Sequence, residues 1–116
     1  MHRFVWALAT AVLWVSVWSS TATAQADRTP KDGYELFIQC SALNSTFNQG
    51  VCLGYLGAVI DQEVGAPAPR FCMPADVPLA EAQDAFVAAF DARQVPRGTN
   101  AIDAAVQVLT IQYPCG

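Results

Sequence analysis

The sequence predicts an all-α protein, a small four-helix, disulfide-stapled domain behind an N-terminal signal peptide. Three observations carry this expectation. Apolar residues recur with helical period in four segments, at 32–47, 51–64, 78–94 and 100–112. Four cysteines, Cys40, Cys52, Cys72 and Cys115, all lie beyond an apolar leader, and an even count in a short exported chain implies a disulfide framework. The chain has 116 residues, enough for one domain.

The leader comes first. Residues 4–18 are almost uninterrupted apolar sequence, preceded by His2 and Arg3 and followed by Ala22-Thr23-Ala24. A basic start, an apolar centre and a small-residue exit are the parts of a secretory signal peptide, here residues 1–24. The alternative is an uncleaved anchor, but a spanning helix needs roughly 20 apolar residues and this run is shorter. Cleavage removes the single histidine and all three tryptophans. The remainder holds five basic and ten acidic residues, a net charge of −5. An acidic domain without a basic patch attracts neither nucleic acid nor an anionic membrane surface. Residues 25–31 are polar, contain Pro30 and read as a flexible lead-in.

The first helical segment places Leu36, Cys40, Leu43 and Phe47 on one face. Asp32 suits its N-cap, with Glu35 three residues on, and Asn48-Gln49-Gly50 supplies the stop. The second segment turns Cys52, Tyr55, Leu56, Val59 and Ile60 inward. Gly54 and Gly57 each cost it about 1 kcal/mol against alanine. With Ala58 and Asp61 they form a small-residue strip, suited either to a tight helix crossing within the subunit or to a dimer seam. Gly65 and the prolines at 67 and 69 then direct an extended return through Phe71 and Cys72. The third segment, capped by Asp76 or Val77 with Pro78 in its first turn, carries the stripe Leu79, Ala82, Phe86 and Phe90, with Arg93 near its end suiting the helix dipole. The fourth, capped by Thr99 or Asn100, turns Ile102, Ala105, Val106, Leu109 and Tyr113 inward.

Reach suggests a cysteine pairing. A second helix opening at Cys52 is about 20 Å long. The eight-residue return to Cys72 spans up to roughly 26 Å, enough to come back to Cys52. That leaves Cys40 for Cys115, a nested pattern of Cys40–Cys115 and Cys52–Cys72.

Catalytic parts are scarce. Without a histidine beyond the leader there is no Ser-His or Cys-His pair. Oxidised cysteines supply no thiolate, and no C-x-x-C pair points to a metal. The hydroxyls of Ser41, Ser45 and Thr46 have no evident base beside them, and Asp61 and Glu63 point to different sides of a helix. The expectation is a non-enzyme without cofactor or metal.

The motifs also fit a known family. Cys52-Leu53-Gly54-Tyr55-Leu56-Gly57-Ala58-Val59-Ile60-Asp61 resembles the C-x-G-Y-x-x-G-x-x-D signature of the Rap/Tai immunity family. Phe71-Cys72-Met73-Pro74 resembles its F-C-x-P segment, and Tyr113-Pro114-Cys115 its terminal aromatic-Pro-Cys. Val95-Pro96 stands where the family often has a His-Pro step, and Gly33, Leu36 and Cys40 also fit. The resemblance implies that residues 32–116 form an immunity-like helical domain in the periplasm. Its partner would be a peptidoglycan amidase effector delivered by type VI secretion, bound and blocked without catalysis. Homodimers are common in the family. The loop between the last two helices, Gln94, Val95, Pro96, Arg97, Gly98, Thr99 and Asn100, is the expected contact surface. Pro96 stiffens it, and Arg97 offers paired hydrogen bonds to a partner. The alternative is a periplasmic structural or acid-stress helical protein with no toxin partner, its ten carboxylates loosening the fold on protonation.

Overall fold

The computed structural model describes residues 29–116, so the signal-peptide reading and most of the lead-in lie outside the described residues. Four helices follow in order: α1 (Gly33–Ser41), α2 (Thr46–Val64), α3 (Leu79–Asp91) and α4 (Ala101–Gln112). Together with two disulfides they make the expected small all-α domain.

The N-terminus of α1 is capped twice. The Asp32 carboxylate accepts from Glu35 N–H at 2.8 Å, and the Glu35 carboxylate reaches back to Lys31 N–H at 2.8 Å. Lys31 also offers its carbonyl to Ala101 N–H at 3.2 Å, and Gly33 N–H donates to Thr99 O at 2.7 Å. The starts of α1 and α4 are thereby tied together. At the end of the lead-in Lys31 takes part in both the cap and the tie, and Pro30 is buried.

Helix α1 stops at Ser41, short of the expected Phe47. Ser45 accepts from Asn48 N–H at 3.2 Å and caps α2, which opens at Thr46. The polar Asn44-Ser45-Thr46 run provides a cap where continued helix would offer none. Leu43 and Phe47, expected on the inner face, are exposed, and Asn48-Gln49-Gly50 lies inside α2 rather than ending a helix. The carbonyls freed at the end of α1 find side-chain donors. Gln83, buried on α3, donates to Cys40 O at 2.9 Å and to Gln49 Oε1 at 2.6 Å, while Gln49 donates to Ala42 O at 3.0 Å.

The new start of α2 also changes the cysteine pairing. The disulfides are Cys40–Cys52 and Cys72–Cys115, not the nested set. Cys40 in the last turn of α1 faces Cys52 in the second turn of α2, with Cα atoms 4.9 Å apart. The return strand does not run back along α2, because Arg70 is clasped at the helix end. Glu63 accepts from Arg70 N–H at 2.7 Å and from its Nε at 2.6 Å. Cys72 stands two residues beyond that clasp, a reach of about 7 Å. Cys52 lies eleven residues up the helix, about 16 Å away. Cys72 is instead held at the end of α4, where its N–H donates to Tyr113 O at 2.8 Å.

The core is the shared interior of the four helices. Leu36, Cys52, Leu56, Phe71, Ala82, Phe86, Ala104, Ala105 and Leu109 are nearly inaccessible. Helix α3 starts after Pro78, which is its N-cap without a side-chain bond, so neither Asp76 nor Val77 plays that part. Asn100 caps α4 by accepting from Ile102 N–H at 2.9 Å. The buried stripe of α4 is Ala101, Ala104, Ala105, Val108 and Leu109, with Val106 at its edge. Ile102 sits one residue off that stripe, about 100° around the helix, and faces solvent rather than the core.

Candidate functional site

The expected contact loop is a built structure, beginning with the end of α3. That helix closes at Asp91, three residues early, because Arg93 enters the left-handed region at φ 55°. Arg93 N–H donates to Phe90 O at 3.0 Å and Gln94 N–H to Ala89 O at 2.9 Å. This pair of reversed bonds is a helix stop that normally carries glycine at the left-handed residue. An arginine there costs about 1 kcal/mol of backbone strain. Arg93 therefore stands past the helix rather than in its last turn, where the dipole would have favoured it.

Val95 is the anchor of the loop and is buried. Pro96 opens a tight turn closed by Thr99 N–H to Pro96 O at 3.1 Å, and Thr99 O is held by Gly33 N–H. Gln94, Pro96, Arg97, Gly98 and Asn100 are exposed, and Thr99 is half-buried. Of the seven expected contact residues, five thus face solvent on a loop whose two ends are fixed.

The loop forms one wall of an open groove of about 680 Å³ whose other side is α1. Its aromatic lining is Tyr34, Phe37 and Phe90. Phe37 stacks on Tyr34 at 6.0 Å and on Phe90 at 5.5 Å between ring centroids, and Phe86 backs Phe90 at 4.9 Å. Arg93, Arg97 and Asp91 supply its charge. The Arg97 guanidinium lies over the Tyr34 ring, 4.3 Å from its centroid. The contribution of Tyr34 was not expected from the helical pattern. It lies three residues before Phe37 and so shares a side of α1, off the Leu36 and Cys40 stripe.

The small-residue strip on α2 has a different setting from the one expected of a helix crossing. A Cβ added at Gly54 would meet nothing within 4 Å, and one at Gly57 would touch only the Leu79 side chain at an ordinary 3.5 Å. Ala58 and Asp61 are exposed. Among the described residues no second backbone comes within 4 Å of a Cβ placed at either glycine. The glycine that permits close approach is Gly33, where a Cβ would stand 2.6 Å from Phe90 Cζ and 2.7 Å from Ala104 Cβ.

The other groups with chemical potential serve the fold. All four cysteines are paired. Ser41 Oγ donates to Phe37 O, and Ser45 caps α2. The Glu63 carboxyl is held below its ordinary value by the Arg70 backbone N–H first and the Arg70 side chain second. Among the described residues no cluster of three or more histidine, cysteine or acidic side chains could hold a metal ion, and no helix is long and apolar enough to cross a membrane.

Comparison with curated proteins and with solved structures returned no match. The family model for the Rap1a immunity proteins matches residues 32–115. That span takes in all four helices, both disulfides and the whole groove, and the chain therefore belongs to the Rap1a immunity protein family.

Proposed function

We propose that the chain is a periplasmic, non-catalytic immunity protein that binds and occludes a peptidoglycan amidase effector delivered by type VI secretion. Residues 94–100 are the contact surface in this reading. The observation that carries it is the construction of that loop within an immunity-family domain. Its ends are fixed by the buried Val95 and by Gly33 N–H on Thr99 O, while Pro96, Arg97 and Gly98 stay exposed. A pre-ordered loop loses little entropy on docking. Paired cysteines are consistent with an oxidising compartment such as the periplasm. A homodimer formed through the solvent-facing Gly54, Ala58 and Asp61, with Gly57 beside them, is part of the same proposal.

The test is periplasmic co-expression with a type VI amidase encoded beside the gene. The full chain is expected to prevent lysis and to co-purify with the amidase, and replacing Pro96, Arg97 and Gly98 together by alanine is expected to abolish both. If no cell-wall hydrolase is retained by the wild-type chain from periplasmic extract, the immunity reading fails. Sedimentation as a monomer at micromolar concentration would remove the dimer.

A further inference from the structure

We propose that the groove between α1 and the α3–α4 loop is a carboxylate-binding site, and that its occupant is an acidic side chain of a protein partner received by Arg93 and Arg97. The choice of a protein as occupant rests on the immunity reading; the carboxylate chemistry does not.

The charge distribution is the first support. The described residues contain four cations, Lys31, Arg70, Arg93 and Arg97. Arg70 is consumed by Glu63. Two of the other three line one groove, in a domain with a surplus of acid elsewhere. Neither Arg93 nor Arg97 has an ion pair among the described residues, although Asp91 lies on the same wall. A partner's carboxylate is repelled over most of this surface and attracted here, which orients an encounter.

Geometry is the second support. The central carbon of the Arg97 guanidinium lies over the Tyr34 ring, 4.3 Å from its centroid. A guanidinium held against a ring by one side keeps further N–H donors for a partner, and their fork matches the two oxygens of a carboxylate. The ring contact also restrains the side chain before any partner arrives. Arg93 is the one non-glycine residue with positive φ among the described residues, at a helix stop where glycine fits without strain. Strain of this kind persists where the side chain has a task. Tyr34, Phe37 and Phe90 give the occupant's apolar neighbour a surface to lie on. A simple inorganic anion would leave those rings unused, which favours a side chain within a polypeptide.

The probe is a blocked dipeptide, acetyl-Phe-Glu-amide, titrated into the full oxidised chain beyond the leader and followed by NMR, with acetyl-Phe-Gln-amide as its neutral twin. The glutamate peptide is expected to shift the side-chain N–H signals of Arg93 and Arg97 and the Tyr34 ring. It should bind about tenfold more tightly than the glutamine peptide and weaken as salt rises. Arg97→Ala is expected to lose about tenfold in affinity. Arg93→Gly separates recognition from folding, since it should raise the melting midpoint by a few degrees while weakening the glutamate peptide. Equal binding of the two peptides, shifts elsewhere on the domain, or an Arg93→Gly variant that binds as the wild type does would each overturn the proposal. The effector is tested separately. An amidase that binds the wild type, Arg93→Gly and Arg97→Ala alike refutes the groove and leaves the immunity reading standing. With no effector bound by the wild type, the immunity reading falls and the dipeptides alone decide the carboxylate site.

Discussion

Gly33→Ala and Gly54→Ala are the same chemical change on two helices, and the structure gives them opposite signs. At Gly33 the new methyl would sit 2.6 Å from Phe90 Cζ and 2.7 Å from Ala104 Cβ. Neither neighbour yields easily. The Phe90 ring is stacked on Phe37 and backed by the tilted ring of Phe86, and the Ala104 methyl moves only with α4. The Gly33 backbone is itself fixed by its N–H bond to Thr99 O. Overpacking of this kind costs about 1 to 3 kcal/mol, and the tight site places it in the upper part of that range. Alanine returns up to about 1 kcal/mol of helix propensity, less in the first turn. The net loss is on the order of 2 kcal/mol, or roughly 10 °C in the unfolding midpoint of a domain this small. At Gly54 no atom of the described residues lies within 4 Å of the added carbon. Only the propensity gain of about 0.5 to 1 kcal/mol remains, a rise of a few degrees. Thermal unfolding of the oxidised protein, followed by circular dichroism at 222 nm, measures both. A Gly33→Ala variant as stable as the wild type refutes the packing at the α1 start. The rise at Gly54 is the expectation for a single copy; in the proposed dimer a second copy covers this face, and a loss at Gly54 is then the expected result.

Three further outcomes are expected. Gln83→Leu strips Gln49 Oε1 of its donor and leaves the Cys40 carbonyl only the longer 3.4 Å bond from Gln49 Nε2, and urea unfolding should show a loss of about 1 to 3 kcal/mol; no change would mean that the buried amide is not needed there. Non-reducing peptide mapping should join Cys40 to Cys52 and Cys72 to Cys115. In the chain-entropy model, removing the first pair should cost about 3 kcal/mol and the second about 4, since they close separations of 12 and 43 residues. Glu63 has a folded pKa below its ordinary 4.5, so its clasp on Arg70 contributes fully above that value and is lost as pH falls through the lower folded one. Glu63→Gln should remove this part of the acid destabilisation, and an unchanged acid titration of the variant would count against the clasp.

How much of this was legible beforehand differs from element to element. Helix α4 was readable because the polar start, the acidic first turn and the apolar repeat agree, although the sequence left its cap open between Thr99 and Asn100. The break between α1 and α2 was not. Leu43 and Phe47 continue the spacing of Leu36 and Cys40, and periodicity does not distinguish a continuing stripe from two helices that share a phase by coincidence. The competing signal was Ser45, whose capping hydroxyl outweighs four more residues of pattern. The wrong pairing followed from that one boundary, together with the Glu63–Arg70 clasp, which shortens the return in a way no spacing reveals. In the site, the loop was visible through Val95-Pro96 and Gly98. Its opposite wall was not, because Tyr34 reaches Arg97 only after α1 and α4 are joined at their starts. Gly54 and Gly57 drew attention as glycines within a helix, yet the position that cannot hold a methyl is Gly33, at a helix start where glycine is unremarkable by sequence.

The two disulfides close consecutive stretches of chain that neither overlap nor nest. A chain that enters an oxidising space from its N-terminal end presents Cys40 and Cys52 before Cys72 arrives, and Cys72 before Cys115. An oxidant that joins each new thiol to the one waiting produces the native connectivity at once. The first bond can also form when only the α1–α2 corner has emerged, since no residue beyond that corner supplies a cysteine to it. Order of arrival and order of pairing coincide in this fold, so it can reach its bonded form without the shuffling that the nested arrangement would have demanded.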